Sequence, residues 1–124
     1  MNATRKDWKT TTPLPAARAS LLLDRVYSIA EFADLKAGLR PRDMGTKWFI
    51  FYEEPWLYLH RAWTGHCIFQ VRFETTPAGV RVVEALVNRD PKEYAGVDDI
   101  QDASLLGILM DRQAEQDRVA RSRL

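Results

Sequence analysis

The chain has 124 residues, 46% of them hydrophobic and 28% charged, which suits one compact domain with a real core and argues against disorder. Its formal net charge of +1 supplies no overall field directed at nucleic acid or anionic lipid. A single cysteine, Cys67, excludes an intramolecular disulfide and any CxxC zinc or redox motif.

No apolar run approaches the ~18 residues needed to span a bilayer. The opening MNATRKDWKTTTPLP holds no apolar core of signal-peptide length, so a soluble cytoplasmic protein is expected, with no membrane partner. Residues 1–13 mix charge, threonine and proline without periodicity and read as a flexible or loosely docked arm. One α+β domain is expected over residues 14–110, followed by a polar extension at 111–124.

From Ala16 the composition turns helical, with Ala17, Ala19 and the triplet Leu21-Leu22-Leu23, although so short an apolar run leaves helix and strand both open. The next element is clearer. Ser28 and Glu31 have capping-box spacing, and Ile29, Phe32, Leu35, Lys36 and Leu39 recur at helical spacing before Gly38 and Pro41 end the pattern. This predicts a helix over residues 29–39.

The period then changes to two. Residues 47–53 are aromatic and β-rich, Pro55 breaks the run, and residues 56–63, 66–74 and 80–88 make three further strands. Thr64-Gly65 reads as a two-residue hairpin turn. The fold class is therefore α+β, a four-stranded antiparallel meander packed on one face by helices. Asp98 with Gln101 starts a last helix, whose stripe is Ile100, Leu105, Ile108 and Leu109 with Leu106 and Met110 beside it. Beyond residue 110 acids and bases alternate, so the tail is either a solvated helical extension or frayed.

A two-residue turn would set Trp63 opposite His66, Arg61 opposite Ile68 and Leu59 opposite Gln70. Tyr58, His60, Cys67, Phe69 and Val71 would share an apolar face under the helices. Leu57, Leu59, Arg61, Trp63, His66, Ile68, Gln70 and Arg72 would share a mixed face, suited to a ligand, a partner protein or a second copy of the chain.

Arg61 and Arg72 are the anion binders of that mixed face, since a planar guanidinium grips phosphate or carboxylate bidentately; cross-strand pairing with Glu53, Glu54 or Glu74 is the alternative. Trp63 could stack on a planar ring or pack over the sheet edge. His66 beside the turn is a ligand contact or an exposed hairpin residue. His60 reads better as a buried, hydrogen-bonded histidine and Cys67 as an inert buried thiol, though a small hydrolase built on Cys67 or on His60 or His66 with Glu53 or Glu54 stays an alternative. The two histidines fall on opposite faces, and no third ligand sits at metal-binding spacing, so neither metal nor cofactor is expected. No phosphate-loop, dinucleotide or nucleophile-elbow motif occurs.

Lys47-Trp48-Phe49-Ile50 followed by Leu57-Tyr58-Leu59-His60-Arg61-Ala62-Trp63-Thr64-Gly65-His66 resembles a pattern in small uncharacterised bacterial proteins, a tryptophan strand followed by H-R-[AS]-W-T-G. Arg89-Asp90-Pro91-Lys92-Glu93-Tyr94, with Asp98-Asp99 and Leu105-Leu106, is similar to a second stretch of that group. The resemblance runs from Lys47 to Leu106, about half the chain. It is associated with proteins that process ADP-ribose and implies a nucleotide-like or ADP-ribose-linked ligand, while bringing no catalytic residue. The resulting expectation is a small binding or accessory module, leaning away from an enzyme, with Arg61, Trp63, His66 and Arg72 as contacts. The alternative is a structural homo-oligomer, such as a homodimer, joined through the mixed face.

Overall fold

A computed structural model describes residues 2–8 and 10–122 as one antiparallel sheet with two helices, an α+β fold. In chain order the elements are β1 (Arg18–Ser20), β2 (Val26–Tyr27), α1 (Ile29–Ala37), β3 (Trp48–Glu53), β4 (Trp56–Arg61), β5 (Cys67–Thr76), β6 (Gly79–Asn88) and α2 (Asp99–Ser122). The sheet has six strands, not four: β3 to β6 form the expected meander, and β1 and β2 both pair with the outer side of β6. The stretch from Ala16 therefore resolves as strand. Leu21 N–H donates to the Ala85 carbonyl at 2.8 Å, so edge pairing takes up backbone groups that a short helix would have left without partners.

The capping box of α1 is realised. Glu31 N–H donates to Ser28 Oγ at 3.1 Å, and Ser28 N–H donates to Glu31 Oε1 at 2.8 Å. Gly38, at φ 73°, closes the helix two residues short of the expected Leu39, whose backbone instead pairs with Ile50 of β3. Asp98 caps α2, accepting from the N–H groups of Ile100 and Gln101 at 2.9 and 3.1 Å.

The buried stripe of α2 is rotated from the expected one. Leu106, Met110 and Ala114 are buried, with Leu105 and Leu109 partly so, whereas Ile100 and Ile108 face outward. Asp102 and Gln113 take buried places on the same helix, each with a polar partner that a hydrophobicity pattern does not register. Gln113 donates to the Gly38 and Asp34 carbonyls and so ties α2 to the end of α1. The helix continues to Ser122, while residues 123 and 124 of the expected tail lie outside the described residues. Among the described residues, no helix is long and apolar enough to cross a membrane.

The central hairpin departs from the expected two-residue turn. Arg61 is the last residue of β4; its N–H donates to the His66 carbonyl at 2.9 Å, and Gly65 N–H donates back to the Arg61 carbonyl at 2.8 Å. Residues 62–65 form the turn, and Gly65 takes the left-handed position at φ 78° that closes it. His60 then pairs with Cys67, Ile68 is an unpaired bulge, and Leu59 pairs with Phe69.

Relative to the expected register, one strand is offset by one residue, which exchanges its two faces. The helices thus cover Leu57 and Leu59 of β4 together with Ile68, Phe69, Val71 and Phe73 of β5. Trp56, Tyr58 and His60 turn to the other side with Cys67 and Arg72.

That other side is covered by the N-terminal segment expected as an arm. Ala3 is buried against Phe49 and Phe51, Leu14 packs on Cys67 and Leu86, and Trp8 Nε1–H donates to the Ala62 carbonyl at 2.7 Å. Thr12 runs parallel to the start of β5, donating its N–H to the Gly65 carbonyl and accepting from Cys67 N–H. Phe49, Phe51 and Phe69 are fully buried, and burial of a side chain of that size is worth roughly 1.5–3 kcal/mol relative to exposure.

Candidate functional site

The end of the sheet where β3 begins and β4 ends carries a cleft of about 370 Å³. Three separate stretches wall it: Lys47 before β3, Arg61 to Thr64 at the hairpin, and Glu93 to Ala95 in the connection between β6 and α2. The alternation of β4 puts Arg61 on the helix side, where its side chain lines the cleft.

Arg61 lies over the ring of Trp48, 4.7 Å from its centroid, and Trp48 stacks on Phe69. A guanidinium held on an aromatic face keeps its hydrogen-bonding edge free. Among the described residues, neither Arg61 nor Lys47 is paired with a carboxylate. Trp63 stands at the rim, 70% exposed, with its Nε1–H donating to the Met44 carbonyl at 3.1 Å. The indole is oriented through its edge and leaves its face bare.

The opposite wall is held from behind. Tyr94 O–H donates to Asp102 Oδ1, and burial followed by that hydrogen bond pushes the phenol up to about 12, so it remains a neutral donor. Arg89 bridges Asp99 and Asp102 and also donates to the Gly96 carbonyl at 3.0 Å. Glu93 accepts from the buried Asn88 Nδ2–H at 3.0 Å. Asn88 in turn donates to the Cys67 carbonyl at 2.9 Å and accepts from Asp90 N–H at 2.8 Å. The whole connection is thereby fixed to the sheet rather than left loose.

Of the four residues expected to form the site, the structure brings Arg61 and Trp63 to the same cleft. His66 lies behind it, sharing a hydrogen bond of 3.0 Å with the Thr12 hydroxyl and placing Nδ1 3.6 Å from Glu93 Oε1. Arg72 is elsewhere. It sits on the side facing away from the helices, over Trp56, with Glu84 at 3.2 Å and Glu74 at 3.6 Å. The one-residue offset separates it from Arg61.

Lys47, Glu93 and Tyr94 complete the walls and were not singled out from sequence. Lys47 reads as the start of a strand, and Glu93 and Tyr94 as part of the second resembling stretch, with no role attached to them. The density of polar residues in Arg89-Asp90-Pro91-Lys92-Glu93-Tyr94, following a strand that ends in asparagine, was the available signal.

Of the residues considered for nucleophilic or acid–base chemistry, His60 and Cys67 are enclosed. His60 is fully buried, stacked on Phe51 at 5.3 Å, and its Nδ1–H donates to the Gly65 carbonyl at 2.9 Å. A carbonyl only accepts, so the neutral ring carries its proton on Nδ1. Cys67 is likewise buried, its thiol donating to the Phe69 carbonyl at 3.4 Å. Glu53 pairs with Arg5 at 2.7 Å, far along the sheet from the cleft. No cluster of three or more His, Cys, Asp or Glu side chains among the described residues has the arrangement to hold a metal ion. Comparison of the chain with protein-family models, curated proteins and solved structures finds no match.

Proposed function

We propose that the protein is a small binding module whose cleft takes an anionic ligand carrying a planar ring, a nucleotide or an ADP-ribose-linked compound. One observation carries this reading: two cations, Lys47 and Arg61, face a cleft walled by Trp63 and Tyr94 with no carboxylate paired to either among the described residues. A cation left without a partner beside an aromatic wall is the arrangement that gains most from a bound phosphate, because charge-assisted bidentate hydrogen bonds to guanidinium are the stronger kind. The bare face of Trp63 supplies a stacking surface for a base, worth about 1–3 kcal/mol in comparable settings. The resemblance of Lys47 to Leu106 to small bacterial proteins that are associated with ADP-ribose-processing proteins points to the same ligand class. A single free, buried cysteine suits a reducing cytoplasm.

Arg61 and Trp63 are the contacts in this reading, with Lys47 and Tyr94 beside them and His66 acting only through Glu93. Calorimetric titration with ADP-ribose and a panel of nucleotides tests it. Saturable binding is expected, lost in Arg61→Ala while the circular dichroism spectrum is unchanged. A panel without any binding overturns the reading. Light scattering at several concentrations separates it from a role as a homo-oligomer, since a dimer that hides Trp63 would not bind the ligand.

A further inference from the structure

Among the described residues, Glu93 is the one carboxylate lining a cleft whose other charges are both positive. Its presence is at odds with a site meant only for phosphate, because a carboxylate repels an anion. It is also not a stray surface charge. Its Oε1 is engaged from behind by Asn88 Nδ2–H at 3.0 Å and lies 3.6 Å from His66 Nδ1. Asn88 has no exposed surface, and its amide is used on both sides, accepting from Asp90 and donating to Cys67 and Glu93. A buried amide with all of these partners does not reorient cheaply, so the carboxylate is held in one position. Its second oxygen, Oε2, has no hydrogen-bond partner among the described residues.

A fixed carboxylate with one free oxygen beside two cations selects a ligand that carries hydrogen-bond donors next to its negative charge. The backbone of the surrounding loop reinforces this. Glu93 N–H and Tyr94 N–H both donate to the Asp90 carbonyl, so they are not available to an anion, and Lys47 and Arg61 remain the groups that receive it. The cleft thus offers an anion site, an aromatic face and an acceptor within one volume of about 370 Å³. A ribonucleotide has the three matching parts: phosphate, base and a sugar with vicinal hydroxyls.

We infer that Glu93 determines specificity for a free ribose diol, accepting from the 2′- or 3′-hydroxyl of the nucleotide bound by Lys47 and Arg61. This rests on the cleft being the nucleotide site described above. A carboxylate accepting from a hydroxyl makes a charged hydrogen bond, and its loss on removing the hydroxyls lowers affinity by about tenfold or more.

Two ligands and one substitution test it, with ADP and 2′,3′-dideoxy-ADP titrated into the full chain and into Glu93→Gln. The wild-type protein is expected to bind ADP at least about tenfold more tightly than the dideoxy analogue. Glu93→Gln should narrow that preference, because a neutral amide makes a weaker hydrogen bond to the hydroxyl than a carboxylate does. Because Asn88 presents a donor, the new amide turns its oxygen towards Asn88 and its NH2 towards the cleft, replacing an acceptor with a donor.

The same reversal should raise affinity for inorganic phosphate in Glu93→Gln relative to wild type, since the repelling charge is gone. Equal wild-type affinity for the two nucleotides overturns the role of Glu93 and leaves the nucleotide site standing. An undiminished preference in Glu93→Gln overturns it too. Failure of both nucleotides to bind the wild-type protein removes the site itself, and this inference with it.

Discussion

His60 and Cys67 stand directly opposite each other on β4 and β5, and neither exposes any surface. Their closeness invites a thiolate–imidazole reading, but burial acts on both in the direction that removes charge. It pushes the Cys67 thiol up to about 12 and holds the His60 imidazole below its usual range. A neutral thiol facing a neutral imidazole is a packing pair.

Cys67 should therefore resist a disulfide reagent in the native protein at pH 8 and react fully once denaturant is added. The linkage to stability has a definite sign. An acid whose folded pKa is raised favours the folded state below its unfolded value, near 9.0, and that contribution is lost as pH rises towards 12. Cys67→Ala should flatten the alkaline part of the unfolding profile. Rapid labelling of native protein at pH 8 would contradict the enclosed geometry.

His60 predicts the acid side. A base whose folded pKa is depressed keeps its full contribution above the unfolded value of about 6.5 and loses it as pH falls through the folded one. Thermal unfolding of wild type and His60→Phe, followed from pH 7.5 down to 5, should show the two curves converging as pH falls. Parallel curves would mean that His60 does not titrate differently on folding.

Gly65 is the point where the hairpin turn meets the N-terminal segment. It sits at φ 78°, and an added Cβ would collide with the Thr10 carbonyl oxygen. Gly65→Ala is expected to cost about 1–3 kcal/mol from backbone strain alone. The collision should also dislodge the segment around Thr10 and Thr12. Limited proteolysis checks this, with faster cleavage near residues 8–14 than in wild type.

Arg89 contrasts two ion pairs on one guanidinium. Asp102 is nearly buried, with 6% of its side chain exposed, whereas Asp99 is 58% exposed. Arg89→Ala, which strands the buried carboxylate, should destabilise by about 3 kcal/mol. Asp99→Ala should cost less than about 1 kcal/mol. Urea denaturation of the two variants separates them, and equal losses would refute the assignment.

Much of the fold is legible in local chemistry. Ser28 and Glu31 mark the start of α1 because capping depends on residues three apart, and the aromatic run of Trp48 to Tyr52 marks β3 through local strand propensity. What stayed hidden depends on distance in the chain. Arg18 to Ser20 and Val26 to Tyr27 are strands only because the edge of β6 offers backbone partners some sixty residues away. Trp8 and Leu14 gave no periodic signal, yet they cover the second face of the sheet.

The site was readable to the same extent. Arg61 and Trp63 stood out by residue type, but their neighbours followed from the hairpin register. A four-residue turn with Gly65 at its end and a bulge at Ile68 looks, in sequence, like a two-residue Thr64-Gly65 turn with none. That single residue of offset removed Arg72 from the group. Glu93 could not be placed beside Lys47 at all, because only the anchoring of its loop through Asn88 and Arg89 brings the two together.

The exposed indole of Trp63 also makes the protein its own optical probe. The other three tryptophans are packed, Trp8 against Phe49, Trp48 against Phe69 and Trp56 beneath Arg72, so their emission should lie to the blue of a water-facing indole. Emission collected at the red end of the band then reports mainly on Trp63. Any occupant that stacks on it should dim that emission without the addition of a dye, and Trp63→Phe should darken the signal while leaving the blue component in place.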